Sequence, residues 1–514
     1  MSEDSFNKRY LFKLLTNLFG FVINLITQAI VPRALGPKSY GDFGFISGFF
    51  TQFVGFFDMG TSVCFYTKLS GKPDDLGLVR FYGYFVLGIS AITLAFVIIT
   101  HSLDLHRFVW PDQQIRYIYL AAVWGVLVWI IGILTMMGDA YGLTVAAEKA
   151  RMLQRVLGLV LLLALFIFGQ LHLTQFFLYH FLVLCFMAGA FVFILETKGY
   201  SLRGIWIFPS RIQLRTYVKE FYLYSHPLFW VSLLALISGI FDRWILQVAG
   251  GSVQQGFYSL SYQIGAMCFL FTGAMTPLLL REFSIAHTNR DIGQMTALFR
   301  RYFPVLYSVS AFFSCYIALQ ADKVIHLFGG SPYRGAMAAV VIMAFYPIHQ
   351  TYGQLTASLF YATGQTALYR NIGFLFLMLG LPLTYLLIAP QDKLGLNAGA
   401  TGLAAKMVVV NIIAVNVQLY FNARQLHLRF WRYVGHQIIS VAVLLGIAYV
   451  SVILMDHILF SGGAVIANFM LSGCIYTLLV SCLILLFPPI FGITHADLAS
   501  VFQKIAFATG WRTR

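Results

Sequence analysis

Five residues of the first apolar run, Lys13, Asn17, Gly20, Asn24 and Gln28, recur at intervals of three or four. At about 100° per residue they form one stripe along a helix. An ammonium and three amides in a row can hold hydroxyls or an anion, and each costs several kcal/mol if left unpaired in hydrocarbon. The stripe therefore faces protein, as a packing seam joined by amides, or water, as the wall of a hydrated passage. Three more charges sit inside apolar runs. Asp58 and Asp242 are either paired with cations or able to carry a coupling H+ or Na+. Asp242 shares a helix face with Ser238 and is followed by Arg243, which leaves a helix-end ion pair as its alternative. Lys406 shares a face with Gly399 and Gly402; it either serves an anion or snorkels to an interface. Tyr258 and Tyr262, one helical turn apart, offer rings to stack on sugars or belong to an interfacial belt.

The elements that carry these residues follow from composition. Hydrophobic residues make up 59% of the chain and charged residues 10%. Apolar runs of roughly 18 to 25 residues recur from end to end, too long and uniform for barrel strands, so they are helices. The reading is an all-α polytopic membrane protein of about 14 transmembrane helices. Lys8, Arg9 and Lys13 precede a first run without a small-residue cleavage site, which predicts an uncleaved first helix. The net charge of +15 does not indicate nucleic acid. With both termini cytoplasmic, roughly 25 of the cationic residues fall on the cytoplasmic side, as orientation requires. Arg203, Arg211, Arg215 and Lys219 before the seventh span, and Arg290, Arg300 and Arg301 before the ninth, would face anionic lipid. Cys64, Cys185, Cys268, Cys315, Cys474 and Cys482 lack metal-site spacing and read as packing residues. No cofactor is implied.

The second span is entered through VPRALGPKSYGDFGFISGFF, residues 31–50. Its Pro and Gly residues predict a tight external turn, and Gly41, Gly44, Gly48, Gln52, Gly55 and Asp58 share one side of the helix, with Gly44 and Gly48 as a GxxxG pair. Gly36 to Phe43 is echoed by Gly251 to Tyr258, and Ala147 to Ala150 by Gly364 to Ala367. Two echoes at offsets of about 215 residues predict two parallel copies of a six-helix unit. The expected division is 1–215 as the first lobe, 216–435 as the second, and 436–514 as two further spans with a cytoplasmic tail. In that tail Thr494 and Asp497 would cap an amphipathic helix bearing Leu498, Val501, Phe502 and Ile505.

The run 31–50, together with DRWILQVAGGSVQQGFYSLSYQI, HLFGGSPYRGAMAAV and GLNAGATGLAAK, resembles the Wzx-type polysaccharide flippases of the multidrug/oligosaccharidyl-lipid/polysaccharide exporter superfamily. The resemblance spans nearly the whole chain. It implies a pair of six-helix lobes, alternating access in a bacterial inner membrane, and an undecaprenyl-pyrophosphate-linked oligosaccharide as substrate. A polysaccharide polymerase and a chain-length regulator are the partners it implies. It also implies a cationic cavity, for which Lys13, Arg33 and Lys406, with Arg281 near the inner end of the eighth span, are the candidates by position. An arginine cluster deep in the first lobe, which the related lipid II flippase carries, is not apparent in the sequence.

Two other functions compete. A multidrug or organic-cation antiporter of the same architecture calls for an acidic lumen, whereas the charges within spans are as often basic as acidic. A glycan polymerase or ligase needs a sizeable external loop or an acid–base constellation. The longest external segment, His101 to Arg116, offers His101, Asp104, His106 and Arg107 without a carboxylate pair or metal spacing. The chain thus reads as a carrier rather than an enzyme.

Overall fold

Helices satisfy their own backbone in lipid, and the long apolar runs are helical throughout the structure, a computed structural model that describes residues 6–169, 171–200, 207, 210–458, 465–495 and 498–499. Among these residues there is no strand. Eleven helices are long and apolar enough to cross a membrane. Two of them contain a bend at a glycine of positive φ and hold two spans each: α1 (Phe6–Asp58) bends at Gly36, and the stretch containing α9 (Phe229–Ala266) bends at Gly251. A broken helix, too short in either part to count among the eleven, runs over 337–362. This is a multi-pass membrane protein.

The expected turn at Pro32 to Gly41 is not a loop. The helix runs through Pro32, breaks its φ/ψ only at Gly36 (φ 69, ψ 170) and restarts with Pro37 at its first position, where proline costs no hydrogen bond.

Compactness divides the chain into Met1–Ser259 and Leu260–Arg514. In the first unit, α1 packs on α5 (Ile115–Ala140), α6 (Thr144–Ile167) and α7 (Leu173–Thr197). Its core is aromatic: Phe45, Phe49, Phe50, Trp110 and Phe177 interlock, with Phe49 edge-on to Trp110 at 5.1 Å. A second cluster joins α2 (Thr61–Gly71) and α3 (Leu76–Ser102) to α8 (Arg211–Ser225). Helix α8 opens with a capping box of Ser210 and Gln213 and is tied down by Lys68–Glu220 at 2.6 Å and by Tyr217 donating to Asp75 at 2.8 Å. Its other side exposes Arg211, Arg215 and Lys219 beside Ile212 and Val218, the composition of a helix lying at a lipid surface.

In the second unit, α10 (Leu270–Thr288), α11 (Ile292–Leu319) and α14 (Tyr346–Ala362) pack with α16 (Gly399–Gln425), α17 (Phe430–Ile458) and α18 (Val465–Leu486) around Phe299, Phe303, Tyr307 and Tyr352. Gly364 opens α15 (Thr366–Ile388) at φ 71. The glycine in the same position before α6 is Gly142, at φ 73, rather than the Ala147 of the sequence echo. Of the expected terminal amphipathic helix, Asp497, Val501, Phe502 and Ile505 lie outside the described residues.

Candidate functional site

The stripe on α1 meets a cluster the sequence did not reveal. Helix α6 has 24 residues, and Arg155 stands about 16 Å from its start at 1.5 Å per residue, close to its middle. The stretch from Val156 to Phe168 is wholly apolar, so no local pattern in the sequence marks Arg155 as lying at mid-helix. A guanidinium at that depth is costly unless it is held by protein. Arg155 donates to the carbonyl oxygen of Thr16 on α1, which has a second lone pair to offer. Gly20 makes the approach possible, since a Cβ there would overlap the guanidinium. One turn earlier on α6, Arg151 pairs with Glu148 at 2.5 Å and reaches Thr135 on α5 at 3.5 Å. Glu148 is 2% exposed, whereas the Arg151 side chain is 20% exposed.

The rest of the stripe is mixed. Lys13 and Asn17 lie on α1, but their side chains fall outside the described residues. Asn24 is exposed, and Gln28 accepts from Tyr40 at 3.3 Å across the bend. Arg33 is exposed just before it.

A second polar group lies around the other bend. Arg243 donates through one Nη1 to Gln255 at 3.0 Å and to Ser259 at 3.1 Å, and stacks over the ring of Tyr258 at 4.4 Å. Gln247 donates to Ser252 and to the Pro111 carbonyl, both at 3.1 Å. Gln113 donates to Asp42 at 2.8 Å. Asp242 beside Arg243 is buried, with Ser238. The glycines of the repeated motif allow this density: a Cβ on Gly41 would overlap the Ser252 carbonyl and the Gly256 nitrogen, and one on Gly256 would overlap the Pro37 backbone. Gly44 approaches Ser259, but Gly48 and Gly55 meet nothing within 4 Å. The close-approach pair is thus Gly41 with Gly256, and the GxxxG pairing of Gly44 with Gly48 is not used.

Asp58 caps a helix. It ends α1, and its carboxylate accepts from the Ser62 backbone at 3.1 Å, the Ser62 hydroxyl at 2.9 Å, Thr61 at 3.1 Å, Trp129 at 3.2 Å and Tyr82 at 3.4 Å. In the second unit Lys406 is 5% exposed within α16, and Gly380 on α15 leaves room for its Cε. Tyr262 lies near Tyr346, ring centroids 6.2 Å apart. Arg281 is exposed and paired with Glu282 at 3.0 Å. The cluster in 101–107 is absorbed locally, Asp104 lying 3.4 Å from Arg107 and 3.5 Å from His106. Among the described residues no group of His, Cys, Asp and Glu is placed to hold a metal, and all six cysteines are free thiols.

Solved structures with this fold are transporters. The lipid II flippase MurJ, in an inward closed conformation, superposes with a TM-score of 0.66 at 12% identity, over 92% of this chain and 98% of that one. An inward-facing multidrug resistance MATE family transporter of the MOP superfamily gives 0.58 at 16%, over 81% and 98%. A MOP superfamily transporter from Pyrococcus furiosus gives 0.53 at 16%, over 83% and 97%. These identities establish the fold alone. No curated protein sequence matches the chain. The family described as polysaccharide biosynthesis protein matches residues 8–278, more than half of the sequence, and the chain therefore belongs to that family.

Proposed function

We propose that this protein moves an undecaprenyl-pyrophosphate-linked oligosaccharide from the cytoplasmic to the periplasmic leaflet of a bacterial inner membrane by alternating access. The observation that carries the reading is Arg155, with Arg151, midway along a membrane-crossing helix of a polysaccharide biosynthesis protein. A glycan of several sugars cannot enter hydrocarbon unaided, because each unpaired hydroxyl costs a few kcal/mol. A carrier that offers amides to the sugars and guanidinium to the diphosphate removes both penalties while the polyprenyl tail stays in lipid. In the first unit Arg151 and Arg155 join Lys13, Asn17, Asn24, Gln28, Arg33 and Tyr258 as candidate substrate groups; in the second, Lys406 and Tyr262 are candidates. Arg281, exposed and paired, is the weakest of the set. Asp242 and Asp58 are the proposed ion-coupling groups, driven by a gradient or by the membrane potential, which is worth about 2.3 kcal/mol per charge at 100 mV. A polymerase and a chain-length regulator would consume the product.

The test is transbilayer movement, in proteoliposomes, of a labelled polyprenyl-pyrophosphate oligosaccharide beside a lipophilic cation, with and without a pH or sodium gradient. Movement of the glycolipid alone is expected. Movement of the cation alone would replace this reading with that of a multidrug antiporter.

A further inference from the structure

We infer that Glu148 is a built-in competitor for the anion site: it occupies Arg151 while the carrier is empty and yields that guanidinium to the substrate's diphosphate. The inference rests on the flippase reading above.

The geometry is one-sided. Glu148 is 2% exposed, and its Oε1 is committed to Arg151 Nη1 while its Oε2 has no hydrogen-bond partner among the described residues. A carboxylate placed for architecture alone is normally satisfied at both oxygens, as Asp58 is through its five donors. Arg151 is the accessible member of the pair and, among the described residues, holds only a long hydrogen bond to Thr135 besides. Arg155, by contrast, is fixed to α1 through the Thr16 carbonyl. One arginine is therefore anchored and the other is held by a group that can be exchanged.

The exchange has a physical reason. An empty carrier that recrosses with a bare guanidinium in its span bears a large cost, whereas a Glu–Arg pair is neutral overall. When a diphosphate takes Arg151, its two charges outcompete one carboxylate and accept the planar fork in bidentate fashion. The charged groups on the helices packed against Glu148 are Asp139 at the end of α5, which accepts from Thr144 at 2.8 Å, and Glu196 and Lys198 at the exposed end of α7. On α6 itself they are Lys149, Arg151 and Arg155. Lys8, Arg9 and Lys13 of α1 have side chains outside the described residues.

The experiment measures binding of inorganic pyrophosphate to the full detergent-solubilised chain between pH 5 and 8, for wild type, Glu148→Gln, Glu148→Asp and Arg151→Gln, with unfolding temperatures recorded in parallel. Taking the ratio to wild type removes the probe's own titration. Glu148→Gln is expected to bind about tenfold tighter than wild type at pH 8, because the competing carboxylate is gone while the guanidinium stays. Glu148→Asp, which keeps the competing charge on a shorter arm, should gain less than Glu148→Gln, and Arg151→Gln should lose binding. Equal or weaker binding by a folded Glu148→Gln would overturn the inference, as would absence of pyrophosphate binding to both wild type and this variant. Glycolipid movement by the wild type in either case would leave the flippase reading standing.

Discussion

The bends at Gly36 and Gly251 share a backbone and differ in chemistry. Their dihedrals are nearly superimposable, φ 69 and ψ 170 against φ 66 and ψ −172. Each is bridged by a side-chain pair twelve residues apart, Tyr40 to Gln28 in the first copy and Arg243 to Gln255 in the second. The packing of the two bends is reciprocal: Gly41 lies against Ser252, the residue after the second bend, and Gly256 lies against Pro37, the residue after the first. The bridges themselves diverged. One is a neutral phenol–amide bond at 3.3 Å; the other is a guanidinium with two acceptors and an aromatic ring. The two bends thus share what only backbone can do, bend and approach closely, and differ in the side chains that hold them.

The comparison breaks most readily at the glycines. Gly41→Leu or Gly256→Leu drives a side chain into backbone that cannot yield, and should cost about 3 kcal/mol. Gly48→Leu, on the same helix but facing open space, should cost little, and equal drops in unfolding temperature for Gly41→Leu and Gly48→Leu would contradict the reciprocal packing. The next effect separates the bridges. Arg243→Gln removes charge-assisted bonds and should cost about 2 kcal/mol, while Gln28→Leu should cost about 1 kcal/mol or less. Chemical unfolding of the two variants in one detergent gives the order, and a reversed order would mean that the neutral bridge carries the bend. An effect as small as that of Gln28→Leu is expected away from the bends, at Asp58. Asp58→Ala removes the acceptor at the start of α2 and should cost about 1 kcal/mol, seen as a lower unfolding temperature. If Asp58 also couples an ion, the same variant loses the gradient dependence of transport; an unchanged dependence would leave it a cap only.

The bends were legible because glycine and proline act locally: Gly36-Pro37 and Gly250-Gly251 punctuate apolar runs whatever surrounds them. Replacing the expected external loop by a direct bend needed only the observation that Pro37 can open a helix. The polar stripe was legible from spacing, and its fate was not. The partner of Gly20 is Arg155, whose acceptor Thr16 is 139 residues away in the chain, and no local pattern encodes that pairing. Half of Asp58's environment was in reach, since Thr61 and Ser62 follow it at cap spacing, while Tyr82 and Trp129 arrive from other helices. Gly41, Gly44 and Gly48 are equivalent by position on one helix face; only the neighbouring helix distinguishes them.

The most direct test of the account is the proteoliposome assay repeated with Arg155→Gln and Gly20→Leu, the second of which evicts the guanidinium without removing it. Glycolipid movement should fall about tenfold or more in both, the effect of taking one charge-assisted hydrogen bond out of an anion site, with the variants reconstituted at wild-type levels. Movement undiminished in both would show that the arginine at mid-helix serves packing alone, and would contradict the claim that this family member carries an anionic lipid-linked glycan past it.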